Sequence, residues 1–204
     1  MKSSKFITLE GVDGAGKSTH IDFIKQYFEQ KKIDYVVTRE PGGTEIGENL
    51  REILLHQEMN IKTETLLMFA ARAEHLDKLI IPNLKKGKTV LCDRFTDATI
   101  AYQSGAKGLN IEFINRLKEI THNNLIPDLT LLFDLPTKVS IERLNKTRIL
   151  DKFEKENEDF HKRVRQSYLE LAELDPSRFL VIDSSNSIKN IQDIILNQLN
   201  KTYK

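Results

Sequence analysis

The sequence predicts an α/β fold in which one sheet of five parallel strands carries helices on both faces. Five short runs rich in β-branched and aromatic residues are apolar almost throughout, as in strands covered on both faces; they are Phe6 to Leu9, Tyr35 to Thr38, Thr89 to Cys92, Leu129 to Phe133 and Phe179 to Ile182. Helical periodicity fills the stretches between them. This alternation favours right-handed crossovers between parallel strands. Polar side chains that follow the strands should therefore meet at the carboxyl edge of the sheet.

Three helices are indicated by apolar residues that recur every three or four positions. Their apolar positions are Ile21, Ile24 and Phe28 in the first, Phe160, Val164, Tyr168 and Leu171 in the second, and Ile188, Ile191, Ile195 and Leu199 in the third. Thr44 is placed to cap a further helix after the second strand. Neither a repeat nor a linker divides the chain, so we expect one domain over residues 1–204.

The composition narrows the class of protein. The chain has 31 lysines and arginines against 30 acidic residues, so no overall positive field attracts nucleic acid or an acidic membrane. No apolar run approaches the roughly 18 residues of a membrane span, and no long apolar region of a signal peptide is present. The only cysteine, Cys92, lies in an apolar run and is expected to be a buried hydrophobe. We therefore expect a cytoplasmic protein without nucleic-acid or membrane partners.

The residues Gly11 to Ser18, GVDGAGKS, fit the phosphate-binding motif G-x-x-x-x-G-K-[ST] at every specified position. Its glycines allow successive backbone amides to face one anion, Lys17 places a charge against the outer phosphates, and the Ser18 hydroxyl can bind Mg²⁺. A chance glycine turn would not explain the strand before the motif and the helix after it. The loop predicts a P-loop NTPase fold that binds a nucleoside triphosphate, but it does not identify the acceptor.

Two further segments bring charges to the same edge of the predicted sheet. Asp93 follows the third apolar run, where a carboxylate can hold Mg²⁺ directly or through water, and Arg94 beside it can bind a second phosphate. Arg94 could instead form a surface ion pair. The tight turn TREPGGT, from Thr38 to Thr44, follows the second run, and Arg51 lies on the next helix.

A charged segment, residues 145–162, allows two interpretations. It can be the solvated face of a helix, or it can contain a mobile cationic flap over the phosphates. We place this flap, called the LID below, at about residues 145–156.

Together these segments resemble thymidylate kinases of the bacterial type. The resemblance covers nearly the whole chain and rests on LEGVDGAGKST at Leu9 to Thr19, TREPGGT at Thr38 to Thr44, FAAR at Phe69 to Arg72, DRFTDATIAYQ at Asp93 to Gln103, PDLTLLFD at Pro127 to Asp134 and DKFEKE at Asp151 to Glu156. Many kinases share the first motif, whereas TREPGG combined with DRF and AYQ is specific. The resemblance implies ATP-dependent phosphorylation of thymidine 5′-monophosphate (dTMP) to the diphosphate (dTDP), a step of dTTP synthesis, with Mg²⁺ as cofactor.

The resemblance also implies a role for individual residues. Asp13, Asp93 and Ser18 resemble the groups that organise Mg²⁺, while Lys17 and Arg94 resemble catalytic charges on the phosphates. The implied ATP site contains Gly11, Val12, Asp13, Gly14, Ala15, Gly16, Lys17, Ser18, Thr19 and, near the adenine, Arg143. The implied dTMP site contains Arg39, Glu40, Pro41, Arg51, Phe69, Arg72, Arg94, Thr99, Tyr102 and Gln103.

Within the dTMP site, three arginines resemble a clamp on the monophosphate: Arg39, Arg51 and Arg94. Arg72 resembles the donor to a thymine carbonyl, and Gln103 offers an amide to the same base. Tyr102 is similar to the residue beside the sugar, where it would crowd a ribose 2′-hydroxyl. Alternatively, Tyr102 and Phe69 are core residues and Arg72 is a solvated charge.

Two departures from the relatives concern the base. Many relatives have a base-stacking aromatic residue four positions before the arginine, where this chain has Met68, and Phe69 stands three before Arg72. One helical step changes the direction of a side chain by about 100°. We expect Phe69 to stack on thymine, with Met68 as the alternative. Ala98 replaces a serine found in some relatives and leaves Thr99 as the nearby hydroxyl.

A third departure concerns the catalytic cation. Thymidylate kinases of one type carry an arginine in the phosphate loop, where this chain has Gly14. Those of the bacterial type supply an arginine from the LID, where this chain has Lys152. We therefore expect Arg148 and Lys152 of the LID to be catalytic.

The same residues allow two other functions. One is a P-loop kinase for another nucleotide or a nucleoside, although three clamp arginines disfavour an uncharged acceptor. The other is a GTP-binding switch, but the sequence from Asn145 to Thr147 is followed by Arg148 rather than by the aspartate that reads guanine. The family resemblance further implies a homodimer, and we expect its interface on the helices over Glu45 to Leu55 and Thr63 to Leu84.

Overall fold

Five strands form one parallel sheet in the computed structural model, which describes residues 4–122, 125–144 and 151–204. The strands are β1 (Phe6–Glu10), β2 (Tyr35–Arg39), β3 (Thr89–Asp93), β4 (Leu129–Asp134) and β5 (Phe179–Asp183). Their spatial order is β2-β3-β1-β4-β5, and every neighbouring pair is parallel. The predicted α/β sheet is confirmed, and each strand extends one residue beyond the predicted run.

Helices connect the strands on both faces of the sheet. They are α1 (Lys17–Gln30), α2 (Glu45–His56), α3 (Ile61–His75), α4 (Ile81–Lys85), α5 (Thr96–Thr99), α6 (Ile111–Thr121), α7 (Thr137–Leu144), α8 (Glu158–Leu174) and α9 (Ile188–Thr202). The π-helical segments Leu76–Ile80 and Ile100–Ala106 extend α3 into α4 and prolong α5. Thr44 caps α2 as expected, because its Oγ1 accepts from Gly47 N at 3.0 Å. No described helix is long and apolar enough to cross a membrane.

The three central strands are covered on both faces, whereas the two outer strands are not. Side chains of β1, β3 and β4 are buried along nearly their whole length, and Cys92 in β3 is fully buried. In the outer strands, Val37 of β2 and Val181 of β5 are 39% and 46% exposed. The prediction of two covered faces is therefore wrong for β2 and β5, since an apolar run does not reveal whether a strand lies at the centre or the edge of a sheet.

The register of the sheet brings the predicted charges to one edge. Leu9 of β1 and Arg39 of β2 both align with Asp93 of β3. The phosphate loop leaves β1 directly after Glu10, beside that position. The segments that follow β1, β2 and β3 therefore meet at the carboxyl ends of the strands, where sites in this class of sheet are found.

Candidate active site

A cavity of about 970 Å³ opens at this edge of the sheet. Its walls come from the phosphate loop, the turn after β2, helices α2 and α3, the segment after β3, the end of α7 and the residues Asp151, Phe153 and Glu154. This volume is at the upper end of the range for small-molecule sites. The motifs singled out in the sequence therefore face one common space.

The phosphate loop turns directly into α1. Gly16 is the N-cap of that helix with a φ of 91°, and Gly14 has a φ of 78°. A Cβ atom on Gly14 would lie 2.8 Å from the carbonyl oxygen of Ser140, so a side chain does not fit there without movement of the backbone. The position that carries the loop arginine in some relatives is thus closed by α7.

Lys17, the first residue of α1, is held over the loop by backbone carbonyl groups. Its Nζ donates to the carbonyl oxygens of Gly11 at 3.1 Å and Val12 at 3.2 Å, and the residue is 8% exposed. Burial, and next the charge of Arg94, lower the pKa of Lys17. Lys17 and Ser18 both line the cavity. An anion bound to the amides at the start of α1 therefore meets a lysine that is already desolvated.

Arg94 follows β3 in the left-handed region, with a φ of 68°. Its Nη2 donates to Asp13 Oδ1 at 2.8 Å and to the hydroxyl of Tyr102 at 3.1 Å, and its Nη1 donates to the hydroxyl of Tyr168 at 3.0 Å. The Tyr102 hydroxyl donates to Asp13 Oδ2 at 2.8 Å. Burial alone would raise the pKa of Asp13, but the charges of Arg94 and Lys17 hold it below its usual value. Each oxygen of Asp13 accepts one hydrogen bond, so Asp13 ties the phosphate loop to Arg94 and Tyr102.

Asp93 offers a buried oxygen that has no partner. Its Oδ1 receives no hydrogen bond from the residues that the structure describes. Asp93 lines the same cavity as Ser18, which is exposed at the start of α1. A carboxylate oxygen and a hydroxyl are ligands that Mg²⁺ accepts. The described part of the chain has no group of three or more His, Cys, Asp or Glu side chains suited to a metal, so phosphate oxygens and water would have to complete its coordination.

Arg72 of α3 is 2% exposed and yet lines the cavity. Its Nε donates to Glu40 Oε2 at 2.7 Å, and its Nη2 donates to Thr99 Oγ1 at 2.9 Å and to the carbonyl oxygen of Phe95 at 3.2 Å. The other oxygen of Glu40 lies 3.0 Å from His75 Nδ1. Arg72 Nη1 has no partner among the described residues. The guanidinium is therefore fixed with one spare donor and is not a solvated charge.

Met68 lines the cavity, and Phe69 does not. Phe69 is 2% exposed in an apolar cluster with Ile114 of α6, and its ring centre lies 5.8 Å from that of His122. Met68 and Arg72 are four residues apart, so they share one face of α3. Phe69, predicted to stack on the base, is therefore packed in the core, and the arrangement favours the alternative, Met68.

Gln103 is buried beside the carboxylate of Glu64, in the first turn of α3. Glu64 is 1% exposed, and its Oε1 accepts from Gln103 Nε2 at 3.0 Å and from Lys107 Nζ at 2.9 Å. Lys107 Nζ is also 3.0 Å from Oε2. Gln103 itself lines the cavity. The amide predicted to meet the base is therefore held from behind by a buried acid.

The LID residue Lys152 is bound to that same acid. Its Nζ lies 2.9 Å from Glu64 Oε2 and donates to the carbonyl oxygen of Gln57 at 2.9 Å. Three of its neighbours, Asp151, Phe153 and Glu154, line the cavity, whereas Lys152 does not. In this arrangement the ammonium of Lys152 is therefore engaged by Glu64 and Gln57, and its catalytic role stays a prediction. The other predicted LID cation, Arg148, lies outside the described residues.

Most of the remaining predicted residues line the same cavity, whereas Gly11, Val12 and Ala15 of the phosphate loop do not. Arg39 pairs with Glu48, with 2.8 Å between Nη2 and Oε2, and Arg51 Nη1 donates to the carbonyl oxygen of Pro41 at 2.9 Å. Arg143 makes long hydrogen bonds, of 3.5 and 3.4 Å, to backbone carbonyls of the phosphate loop and of the turn after β5. All three arginines line the cavity.

Two buried residues of the site are not predicted by the sequence motifs. The sequence predicts Tyr168 only as part of the apolar face of α8. In the structure, its hydroxyl donates to the buried Glu10 at 2.8 Å. Glu64 precedes Met68 by four residues and Arg72 by eight, so the three lie along one stripe of α3. Glu64 could have been predicted as a site residue, because it is an acid on the same helical stripe as Arg72. Tyr168 could not, because a tyrosine on an apolar helix face is usually part of the core.

The chain is similar to known proteins over nearly its whole length. The family profile described as thymidylate kinase matches residues 9–195. The thymidylate kinase of Janthinobacterium sp. (strain Marseille) is 53% identical over 193 residues, which cover 95% of each chain. That of Methylobacillus flagellatus is 50% identical over 192 residues, 94% of this chain and 95% of the relative. The crystal structure of thymidylate kinase from Ehrlichia chaffeensis is similar with a TM-score of 0.80 at 32% identity, covering 97% of this chain and 99% of that one.

Proposed function

Because the chain belongs to the thymidylate kinase family, we propose that the cavity binds both of its substrates and is the place of phosphoryl transfer. Membership makes the chain a phosphotransferase that converts dTMP to dTDP with ATP as the donor, on a P-loop NTPase fold. The observation that carries the proposal is that one cavity joins Lys17 and Ser18 of the phosphate loop with Arg72 and Gln103. A donor phosphate at the loop and a base at Arg72 share a single space in this arrangement.

On the donor side, the phosphates of ATP bind the amides of residues 11–19 at the start of α1. Lys17 supplies positive charge to the transferring phosphoryl group. Arg143, between the phosphate loop and the turn after β5, borders the adenine. Ser18 and Asp93 Oδ1 would hold Mg²⁺, which when bound neutralises part of the charge on the phosphates.

On the acceptor side, the monophosphate binds the three arginines of the clamp: Arg39, Arg51 and Arg94. Its oxygen is already a nucleophile at neutral pH, so the transfer needs no general base. The chain contributes alignment of donor and acceptor together with stabilisation of charge. Because Arg94 is tied to Asp13 of the loop, its position relative to the donor phosphates is fixed before the substrates bind.

The base and sugar occupy the part of the cavity next to α3. Arg72 Nη1 donates to a thymine carbonyl, and Thr99 and Glu40 hold the guanidinium in place for this contact. Met68 packs on the base in place of the predicted Phe69. Tyr102 lies beside the sugar, with its hydroxyl fixed by Asp13 and Arg94 and its ring edge-on to Phe153.

We also propose the assembly and its setting. The chain acts as one domain with a LID at about residues 145–156, of which Asp151, Phe153 and Glu154 line the cavity. It forms a homodimer through α2 and α3, on which Ile46 and Leu66 are 53% and 48% exposed. Replacing both by glutamate should give a monomer in sedimentation equilibrium, and an unchanged dimer would place the interface elsewhere. The enzyme works in the cytoplasm, where both nucleotides are available.

A coupled assay of ADP release tests the proposed site. Release from ATP should require dTMP, and thymidine should not replace it, because the three clamp arginines then have no phosphate to bind. Arg72→Ala should raise the KM for dTMP by more than about tenfold, since a buried donor to the base is lost. ADP release that is equal with and without dTMP, or an unchanged KM in Arg72→Ala, would contradict the proposal.

A further inference from the structure

Glu64 occupies an unusual place for an acid, since it is buried directly behind the part of the cavity assigned to the base. It lies on the same stripe of α3 as Met68 and Arg72, which both line the cavity. Its carboxylate binds the amide nitrogen of Gln103 and the ammonium groups of Lys107 and Lys152. Nothing in the phosphoryl transfer described above uses this carboxylate.

The amide of Gln103 and two ammonium groups favour the ionised form of Glu64. Burial alone would raise the pKa of Glu64, but hydrogen bonds from Gln103, Lys152 and Lys107 hold it below its usual value. An ionised carboxylate accepts hydrogen bonds and cannot donate them. Gln103 must therefore turn its NH₂ group toward Glu64, which leaves Gln103 Oε1 on the opposite side of the amide.

This orientation gives the cavity a definite polarity. Gln103 lines the cavity, and no described residue donates to its Oε1. Arg72, which also lines the cavity, has its Nη1 without a partner among the described residues. The base therefore meets one acceptor, from Gln103, and one donor, from Arg72.

We propose that Glu64 is a positioning residue that fixes the hydrogen-bonding polarity of Gln103 and thereby selects the pyrimidine. The inference rests on the proposed position of the base next to α3. Thymine and uracil present a ring N3–H donor beside a carbonyl acceptor, which match Gln103 Oε1 and Arg72 Nη1. Cytosine presents a ring nitrogen acceptor beside an amino donor. Its N3 would face the acceptor Gln103 Oε1, and its amino group would face the donor Arg72 Nη1, so neither hydrogen bond could form.

The experiment compares three acceptors, dTMP, dUMP and dCMP, in the wild-type enzyme and in Glu64→Gln. A neutral amide at position 64 can donate to Gln103 Oε1, so the amide of Gln103 is free to reverse and to offer its NH₂ group to N3 of cytosine. The ratio of kcat/KM for dTMP to that for dCMP should fall at least about tenfold. The ratio for dTMP to dUMP should stay within about twofold, because both bases have N3–H and differ only in the methyl group.

A matched variant distinguishes an effect on the hydrogen-bonding orientation of Gln103 from a general loss of structure. Lys107→Met removes another partner of Glu64 without touching Gln103 and should leave both ratios within about twofold of wild type. Glu64→Gln leaves two lysines without a carboxylate, so the double variant Glu64→Gln/Lys107→Met is compared with Lys107→Met in the same assay. Thermal unfolding of each variant identifies the folded ones. A structural role alone would lower activity toward all three acceptors in proportion and leave the ratios unchanged.

The outcomes distinguish this inference from the proposed position of the base. Gln103→Ala should also lower the dTMP to dCMP ratio, and an unchanged ratio there would show that Gln103 does not read the base. If Gln103→Ala lowers the ratio while the folded Glu64 variants do not, the base position stands and the role of Glu64 is overturned. A ratio that falls in both, with the dTMP to dUMP ratio preserved, supports the inference.

Discussion

Arg94 Nη2 lies 2.8 Å from Asp13 Oδ1, and this ion pair joins the donor and acceptor sides of the cavity. Asp13 belongs to the phosphate loop, whereas Arg94 follows β3 and faces the proposed acceptor phosphate. The side chains are 16% and 22% exposed, so the pair is screened less by salt than one on the surface. The left-handed backbone of Arg94 is unfavourable for a residue other than glycine, and the contacts to Tyr102 and Tyr168 help to hold it.

Tyr168→Phe tests how strongly this arrangement is supported from α8. The change removes a hydroxyl that donates to Glu10 and accepts from Arg94, and it leaves buried polar atoms unpaired. We expect a loss of about 1 to 3 kcal/mol in the free energy of unfolding, measured by urea denaturation. Tyr35→Phe is the matched control, because its hydroxyl donates to Glu29 at the surface, and it should lose less than about 0.5 kcal/mol. Equal losses would show that the buried network adds no stability.

Lys17→Met should abolish most of the turnover while the fold is kept. The change removes the charge over the phosphate loop and retains a chain of similar size at a position that is 8% exposed. We expect kcat to fall by about a thousandfold or more. Lys25→Met, on the same helix but paired with Asp22 at the surface, should keep the wild-type rate. If the Lys17→Met enzyme kept half of the wild-type kcat, the proposed role of Lys17 in the chemical step would be contradicted.

The strands could be predicted from the sequence because their signal is local. Each strand is a nearly continuous apolar run, and all five end one residue after the predicted bound. The edge position of β2 and β5 could not be predicted in the same way, because it depends on which strands become neighbours. The motifs identified the cavity for a similar reason: the loop after β1 and Arg94 after β3 lie at the ends of strands whose parallel pairing follows from the fold class.

Side-chain direction within the site was harder to predict. Met68 and Phe69 are adjacent, and a family motif alone does not decide which of them faces the cavity. Spacing to Arg72 does not decide it either, because residues three and four positions away both lie on the face of Arg72. The packing of Phe69 against Ile114 of α6 and against His122 decides it. Lys152 is a different case, since it lies before α8 and its partner Glu64 belongs to α3. No local sequence pattern predicts a contact between segments so distant in the chain.

Paired substitutions on α3 test the assignment of the base contact. Met68→Ala should raise the KM for dTMP severalfold with little change in melting temperature, because Met68 lines the cavity. Phe69→Ala should instead cost about 3 to 5 kcal/mol of stability, since the ring is buried against α6. Steady-state kinetics and urea denaturation of both variants give the comparison. If a folded Phe69→Ala enzyme showed a larger increase in the KM for dTMP than Met68→Ala, Phe69 would be the residue that stacks on the base.

Replacing each of the two predicted LID cations by alanine should have different effects on the rate of phosphoryl transfer in single-turnover experiments. Lys152→Ala should leave the chemical step within about twofold of wild type, because its ammonium is bound to Glu64. Arg148→Ala should slow that step by at least about a hundredfold if the LID supplies the planar cation that the transition state requires. Lys162→Ala, at an exposed position on α8, is the control for loss of charge. A slow step in Lys152→Ala would mean that the lysine leaves Glu64 when the substrates bind.

His122 should make the stability of the fold depend on pH in the mildly acidic range. Its ring centre lies 5.8 Å from that of Phe69 and 5.0 Å from that of Phe95, and its Nε2 is 3.0 Å from Thr96 Oγ1. Burial, and next the charge of Arg72, lower the pKa of His122 to about 3. An unfolded histidine has a pKa of about 6.5, so between these values the unfolded chain binds a proton that the folded chain excludes. The contribution of His122 is therefore present above about pH 6.5 and is lost as the pH falls toward 3.

Urea denaturation between pH 7 and pH 4.5 measures this loss, and His122→Gln is the informative variant. Because the folded chain excludes a single proton at His122, the free energy of unfolding should change with pH by at most about 1.4 kcal/mol per pH unit on its account. Glutamine keeps a hydrogen-bonding group for Thr96 but does not titrate, so the variant should be less stable at pH 7 and should lose stability less steeply on acidification. His56→Gln, at an exposed position on α2, should keep the wild-type slope. The same slope in His122→Gln as in wild type would assign the acid sensitivity to other groups, of which buried His20 is the first to test, since burial lowers the pKa of that ring as well.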